Sequence, residues 1–283
     1  MVDRDSVFKS DARELDFSQW HHLQPEDVDA HFLGEDDSHV ASGLPEAGRL
    51  IDFALIEKRR AESTYLIVQP QPACPETSLP TCGYALKRAI DIGGSLALLV
   101  FFAPIMAVVA MLVRVFDGGP VLFRQERIGE GGRSFTIFKF RSMQCGADGE
   151  LTTVLSSDTD LGSEWATRQK LTRDPRVTRL GRLLRTSSLD ELPQLYNVLI
   201  GDMSLVGPRP IVPNESKRYG RYFAHYRTTR PGLTGLWQVS GRNGTTYRRR
   251  VALDVAYSRR ASLGLDVKIL LMTVPAVITA KGY

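Results

Sequence analysis

Ile92-Gly93-Gly94-Ser95-Leu96-Ala97-Leu98-Leu99-Val100-Phe101-Phe102-Ala103-Pro104-Ile105-Met106-Ala107-Val108-Val109-Ala110-Met111-Leu112-Val113 runs for 22 residues without a charge, bounded by Asp91 and Arg114. At about 1.5 Å per residue, a helix of that length spans the roughly 30 Å hydrocarbon core of a bilayer. Pro104 lies near its middle. Proline has no amide to donate and crowds the preceding turn, so the stretch predicts a helix bent or broken at that point. Lys87 and Arg88 precede the run, and Arg114, Arg124 and Arg127 follow it. Lysine and arginine are retained on the cytoplasmic side, so basic residues at both ends favour a re-entrant segment that enters and leaves on one face. A single crossing is the simpler alternative. A buried core helix of a soluble protein fits poorly with the length and the lack of polar breaks.

The 283 residues suffice for one sizeable domain with extensions. The formal charge of +4 hides an asymmetry: residues 1–50 hold twelve Asp/Glu and four Lys/Arg, a local charge of −8 that leaves +12 on the rest. A basic body suits anionic partners such as phospholipid headgroups, nucleotide phosphates or nucleic acid. The three cysteines, Cys74, Cys82 and Cys145, are odd in number and match no metal-ligand spacing, which points to a reducing compartment. The first thirty residues are acidic and polar, unlike a signal peptide, and suggest a chain that starts in the cytoplasm. Residues 1–82 read as an acidic, largely disordered extension. It includes one helix over Leu50–Ala61 and a proline-rich linker over Gln69–Pro80. Residues 83–117 form the membrane segment and 118–283 the remaining domain.

Beyond the apolar run, Pro120–Phe123 and Phe135–Arg141 flank Gly129-Glu130-Gly131-Gly132, the punctuation of a β-hairpin. On the second strand Phe138 and Phe140 share one face, while Lys139 and Arg141 share the other. That basic face is either solvated or a binding surface. Residues 173–185 place Arg173, Arg176, Arg179, Arg182 and Arg185 at every third position, with Val177, Leu180, Leu183 and Leu184 between them. On one helix this makes a basic stripe beside an apolar one, suited to a membrane interface. No zinc spacing, helix-turn-helix pattern or aromatic-rich surface accompanies it, so nucleic acid is not an expected partner. Leu263–Ala280 is apolar but interrupted by Asp266, Lys268 and Pro275, and reads as an interfacial or packing helix. The fold class is therefore mixed α/β dominated by helices, with a membrane helix broken at Pro104, a small hairpin and interfacial amphipathic helices.

Ser188-Leu189-Asp190-Glu191-Leu192-Pro193-Gln194-Leu195 carries two adjacent carboxylates. Proline is tolerated in a first helical turn, which puts the N-cap near Asp190 and Pro193 inside the turn. Free amides and the helix dipole there would keep Asp190 ionised. Simple capping explains such a pair equally well until its neighbours are considered. Asp202–Pro210 presents Arg209 on a turn, and Pro231–Asn243 is a glycine-rich loop ending at Arg242. Arginine forks and glycine amides both suit phosphate oxygens. Neither loop has the spacing of a P-loop or a dinucleotide-binding turn.

Four segments occur in order: Lys139–Met143, Ser188–Leu199, Gly201–Pro210 and Arg230–Gly235. Together they closely resemble the bacterial sugar transferase family, the monotopic polyprenyl-phosphate hexose-1-phosphate transferases, over about Tyr84 to Tyr283. The resemblance implies a re-entrant helix in the inner membrane and a catalytic domain on the cytoplasmic face. It implies transfer of a hexose-1-phosphate from a UDP-sugar to undecaprenyl phosphate with Mg²⁺ and release of UMP, the initiating step of exopolysaccharide, capsule or O-antigen synthesis. By position, Asp190 resembles the nucleophile of a covalent aspartyl-phosphosugar intermediate and Glu191 the Mg²⁺ ligand. Arg209 and Arg242 become candidate phosphate contacts, followed by Lys139 and Arg141. The chain departs from relatives with serine before the membrane proline, since it has Ala103-Pro104. Larger relatives carry several N-terminal spans and an added domain, whereas residues 1–80 here read as soluble and acidic, so nothing about that module carries over.

A membrane-anchored interaction protein with a purely structural dyad is the other class of reading. A glycosidase fits less well, because adjacent residues on a helix point about 100° apart and cannot flank one glycosidic bond. The transferred hexose and the oligomeric state, including a homo-oligomer, stay open.

Overall fold

The computed structural model describes residues 81–157, 161, 165, 171, 174–240 and 246–278. The acidic extension, its expected helix and linker, Arg173 and Arg242 lie outside the described residues. Helix α1 spans Thr81–Leu112 and passes into a π-turn at Val113–Asp117. Gly118 and Gly119 follow with φ of 63° and 65°, a left-handed pair that only glycine adopts cheaply. Strands β1 (Leu122–Ile128) and β2 (Ser134–Phe140) pair antiparallel, with Phe123 opposite Lys139 and Arg127 opposite Phe135. Helices α2 (Ala147–Ser157), α3 (Arg179–Ser187) and α4 (Gln194–Ile200) come next, then strand β3 (Ser204–Val206). Short helical turns lead to β4 (Gly232–Thr234), which pairs parallel with β3. After the turn Leu236–Val239 come helices α5 (Tyr247–Arg260) and α6 (Leu263–Ile278). The helix-dominated mixed class and the hairpin agree with the sequence.

The most apolar part of α1 has a mean hydropathy of 2.9, and only 11% of it is buried. It is therefore no core helix: Val100 and Phe101 are 69% and 71% exposed, with Leu96, Val108 and Met111 also open. By length and composition it can cross a membrane. Pro104 lies inside α1, which keeps its helical conformation on both sides of that residue. The proline withdraws one amide and crowds one carbonyl, while the turns on either side keep their own bonds.

The first turns of α1 are docked rather than free. Lys87 Nζ lies 2.6 Å from Asp266 of α6 and 3.0 Å from the Val206 carbonyl. Arg88 donates to the Val198 and Leu199 carbonyls, both at 2.7 Å, capping the C-terminus of α4. Buried Asp91 accepts from Ser204 Oγ at 3.0 Å and the Leu205 amide at 2.9 Å. Lys87 and Arg88, read from sequence as flanking charges that set topology, are thus spent on the domain. At the other end, Val109 and Val113 enter a small core with Phe140 and Leu184.

Strand β2 is covered on both sides. Ile137 enters the main core with Leu195, Val198, Met203 and Tyr257, while Phe140 enters the small one. Asn197, fully buried, joins the hairpin to α4: its Nδ2 donates to the Thr136 carbonyl at 2.7 Å, and its Oδ1 accepts from the Phe138 amide at 3.1 Å. The five-arginine stripe does not form a single helix. Thr178 caps α3 by accepting from the Gly181 amide at 2.8 Å, so the helix starts only at Arg179. Arg176 lies before it, buried and paired with Asp174 at 2.6 Å. Arg179, Arg182 and Leu183 keep the exposed face. The packing reading of Leu263–Ala280 holds in α6, where Leu265 and Ile269 are buried and Val267, Leu271 and Val274 exposed.

Replacing fully buried Asn197 with alanine should cost ~3 kcal/mol, since it removes both hydrogen bonds that join the hairpin to α4 and leaves a space where the amide was. Chemical denaturation of the detergent-solubilised protein reads this loss. A change below ~0.5 kcal/mol would mean that packing, rather than Asn197, sets the hairpin against α4.

Candidate active site

Helix α3 ends at Ser188, whose φ of 57° makes it the one non-glycine residue with positive φ among those described. That conformation costs about 1–2 kcal/mol for an L-residue and persists only where its surroundings enforce it. Ser188 turns the chain into a 3₁₀ turn at Leu189–Glu191, closed by the Glu191 amide on the Ser188 carbonyl at 3.2 Å. The α-helix begins only at Gln194, with Pro193 at its N-cap. The expected N-cap at Asp190 is therefore displaced: the dyad sits in the linking turn between α3 and α4.

This turn gives the two carboxylates different surroundings. Asp190 is only 8% exposed, whereas the Glu191 side chain is 34% exposed and bonds Lys139 Nζ at 2.7 Å. Burial, then the charge of Glu191, pushes the Asp190 carboxyl up to about 6, while Lys139 and Arg185 pull it down. Sequence reasoning expected a comfortably ionised Asp190. Burial outweighs the helix-start effect because α4 starts too far along to supply free amides.

A shallow cleft opens beside the dyad, lined by Arg127, Lys139, Glu191, Gln194, Arg209 and Gln238 with neighbouring backbone and apolar groups. Asp190 is not among its lining residues. Three cations thus face one carboxylate, an arrangement that attracts a multiply charged anion. Arg127 donates to the Pro210 carbonyl at 2.9 Å, and burial followed by repulsion from Arg209 lowers its guanidinium to about 10. It stays protonated at neutral pH. Arg209 lies over the Trp237 ring with its guanidinium carbon 5.4 Å from the centroid.

Glu191, Lys139 and Arg209 are therefore brought together at the cleft, with Asp190 buried beside Glu191 on the same turn. Arg141 is not: it is buried, donates to the Gly118 carbonyl, and contacts Cys145 Sγ at 3.1 Å, pinning the turn before β1. The glycines also act differently from expectation. The Gly207 amide donates to Thr234 O at 2.9 Å and the Gly232 amide to Pro208 O at 2.8 Å. A Cβ on Gly207, Gly232 or Gly235 would strike the facing backbone, so these residues let two chain segments touch. Anion contact falls to side chains. Arg127 escaped sequence reasoning, which treated it as a membrane flank. Its signal was the hairpin register: Phe123 opposes Lys139, so Gln125 and Arg127 share the Lys139 face. Gln194 and Gln238 gave no sequence signal.

The raised carboxyl of Asp190 predicts an acid limb near pH 6 for any activity that needs its ionised form. Lys139→Met should move that limb to higher pH, and Glu191→Gln to lower pH, in pH profiles of residual turnover. Shifts in the same direction for both variants would contradict the electrostatics. For stability the sign is reversed from a salt-bridged carboxylate. The folded pKa exceeds the unfolded one, so ionised Asp190 opposes folding, fully above about 6 and not at all below the unfolded value near ~4.

The bacterial sugar transferase profile matches residues 82–280. Exopolysaccharide production protein ExoY of Rhizobium meliloti is 44% identical over 200 residues, covering 71% of this chain and 88% of its own. UDP-glucose:undecaprenyl-phosphate glucose-1-phosphate transferase of Caulobacter vibrioides is 44% identical over 205 residues, 69% of this chain and 71% of its own. Undecaprenyl-phosphate galactose phosphotransferase of Salmonella typhimurium is 45% identical over 197 residues, 70% of this chain but 41% of its own. The profile match begins within the first turn of α1 and ends just beyond α6, so the apolar helix, the dyad and the cationic cleft lie inside one matched unit. The chain belongs to the bacterial sugar transferase family.

Proposed function

We propose that this protein transfers a hexose-1-phosphate from a UDP-sugar to undecaprenyl phosphate at the cytoplasmic surface of the inner membrane, releasing UMP and initiating exopolysaccharide, capsule or O-antigen synthesis. The observation that carries this reading is a buried and an exposed carboxylate on one turn, beside a cleft lined by Arg127, Lys139 and Arg209, in a domain docked on an apolar helix. The family relatives named for UDP-glucose, galactose and undecaprenyl phosphate support the donor and acceptor classes.

In the proposed reaction, an Asp190 carboxylate oxygen attacks the phosphorus that carries the sugar. The bond from that phosphorus to the bridging oxygen breaks, and UMP leaves with the electron pair. An oxygen of undecaprenyl phosphate then attacks the same phosphorus, forming the lipid diphosphate-sugar and freeing Asp190. Splitting the transfer in two requires a nucleophile that is ionised yet weakly solvated, which suits a buried carboxyl at about 6. Arg127, Arg209 and Lys139 would neutralise the phosphate oxygens, the main need of phosphoryl transfer.

The donor set fits Mg²⁺ held largely by substrate. Glu191 presents a half-exposed carboxylate to the cleft, and no cluster of three or more His, Cys, Asp or Glu suited to a metal occurs among the described residues. Magnesium commonly takes one or two carboxylates plus phosphate oxygens and waters. When bound, it would withdraw charge from the phosphates and displace the Lys139 contact on Glu191.

A re-entrant course for α1 is supported by its two ends, which pack on the same domain: Lys87, Arg88 and Asp91 on α4, β3 and α6, and Val109 and Val113 on Phe140 and Leu184. The exposed apolar side chains of α6 and Leu183 of α3 would meet the lipid interface.

Membranes containing the protein, given UDP-glucose, UDP-galactose or their N-acetylated analogues labelled in the sugar, should build a labelled undecaprenyl lipid from at least one donor. Asp190→Asn should lower that transfer by more than ~10³-fold. Full activity in that variant would remove Asp190 as nucleophile. In a cysteine-free background, Ala85→Cys and Arg114→Cys should both react with an impermeant thiol reagent from the cytoplasmic side only. Labelling of the two from opposite sides would establish a single crossing.

A further inference from the structure

We infer that Trp237 is the positioning residue for Arg209, its ring holding the guanidinium at the cleft with the N–H groups left for the donor's diphosphate. The inference rests on the proposed function and deepens it, because it separates the three cleft cations by how far each is already engaged.

Two of them are committed before any ligand arrives. Arg127 donates through Nη1 to the Pro210 carbonyl at 2.9 Å and through Nη2 to Gln125 Oε1 at 2.5 Å. Lys139 is bonded to Glu191 at 2.7 Å. Arg209 lines the same cleft, and its guanidinium has no hydrogen bond or ion pair among the described residues. Its main chain is nonetheless held. Buried Pro208 and Pro210 flank it, and the Pro208 carbonyl accepts the Gly232 amide at 2.8 Å. Such anchoring leaves the torsions of the long side chain free. The Trp237 ring is the contact that restrains them, with the guanidinium carbon 5.4 Å from its centroid. Attraction to the negative face of a ring draws on the charge of a guanidinium and needs none of its capacity to bond oxygen. The planar fork stays available for paired bonds to phosphate.

Trp237 is fixed in turn. It packs against the main core, and Arg250 also lies over its ring, 5.9 Å from the centroid. Arg250 is itself paired with Glu215 at 3.3 Å and lies 4.2 Å from the Tyr247 ring centroid. The indole N–H of Trp237 is buried and has no hydrogen-bond partner among the described residues. Its part in the cleft therefore belongs to the ring and not to the polar group, a property that phenylalanine shares and leucine lacks.

The test uses the full-length protein in detergent micelles, with inorganic pyrophosphate as the probe. A wild type that binds pyrophosphate but transfers no sugar defeats the proposed function alone, whereas one that fails to bind it defeats this inference. Trp237→Leu, which keeps apolar bulk but removes the ring, should weaken pyrophosphate binding about tenfold and raise the KM for the donor by the same factor. Trp237→Phe should stay within about threefold of the wild type. The comparison with Arg209→Met separates positioning from packing. Because Trp237 acts through Arg209, the double variant Trp237→Leu, Arg209→Met should bind pyrophosphate no more weakly than Arg209→Met alone. Losses that add in the double variant would overturn the inference. So would a Leu variant that binds like the wild type, or a Phe variant as weak as the Leu one. If the Leu variant does not fold, fluorinated tryptophans carry the same test, since they nearly keep the ring's size while weakening its negative face. Pyrophosphate affinity should then fall with each added fluorine in the wild type and not in Trp237→Phe. Affinity that ignores fluorination would sink the role given to the ring.

Discussion

The first three turns of α1 carry the constraint on which the remaining structure depends. A helix whose exposed middle is apolar begins with Lys87, Arg88 and Asp91, and all three are committed to the domain. Lys87 and Asp266 have side chains only 14% and 9% exposed. Removing one partner of such a buried pair typically costs about 3–5 kcal/mol, because the other charge is left stranded. Arg88 does for α4 what water would do at a free helix end, and its charge suits the negative pole of that helix. The apolar helix and the helix that follows the dyad thus share hydrogen bonds instead of being joined by a linker. The position of α4 relative to the apolar run is set by the same residues that precede that run.

Fixing α4 also fixes the dyad. Only two residues separate Glu191 from the first residue of α4, and the turn they belong to is reversed by left-handed Ser188. Two forces compete over Asp190. A helix N-terminus is worth about 0.3–1 kcal/mol to a carboxylate. Moving the carboxyl to about 6 corresponds to roughly 3 kcal/mol against ionisation, at 1.36 kcal/mol per unit. Burial wins, and the resulting carboxyl is charged at neutral pH while keeping little of its solvent. The adjacent Glu191 stays wet and tied to Lys139. One turn of chain therefore produces two carboxylates with different surroundings, one buried and one exposed, which a dyad at a regular helix start would not.

The parts of this arrangement that were legible in the sequence depend on local periodicity. The apolar run, the hairpin and the alternation of Phe138 and Phe140 against Lys139 and Arg141 follow from one- and two-residue spacing. What periodicity could not supply is which face meets which partner. Arg141, expected on the Lys139 face, lies past the end of β2 and pins a turn, whereas Lys139, inside the strand, reaches Glu191. The arginine series broke at Thr178, a side-chain cap whose single hydrogen bond starts the helix after Arg176. The glycines of Gly207 and Gly232 were read as open to a ligand. Their amides are instead bonded across the parallel β3–β4 contact, a pairing between segments more than twenty residues apart that no local pattern encodes.

That parallel contact has a consequence for the electrostatics of the cleft. With the glycine amides occupied, the positive potential must come from side chains, and these originate on two different elements. Arg127 and Lys139 project from neighbouring strands of the hairpin, while Arg209 projects from the turn after β3. Like charges held this close repel: after burial, which lowers the Arg127 guanidinium most, the charge of Arg209 is the next cause of its lowering. The repulsion is tolerated because the hairpin is clamped to α4 by Asn197 and to the Pro210 carbonyl by Arg127 itself. An arriving diphosphate would relieve it, so part of the attraction for the substrate is stored in the fold before binding. The fold that docks on the apolar helix therefore also holds its cations ready for an anion at the same surface.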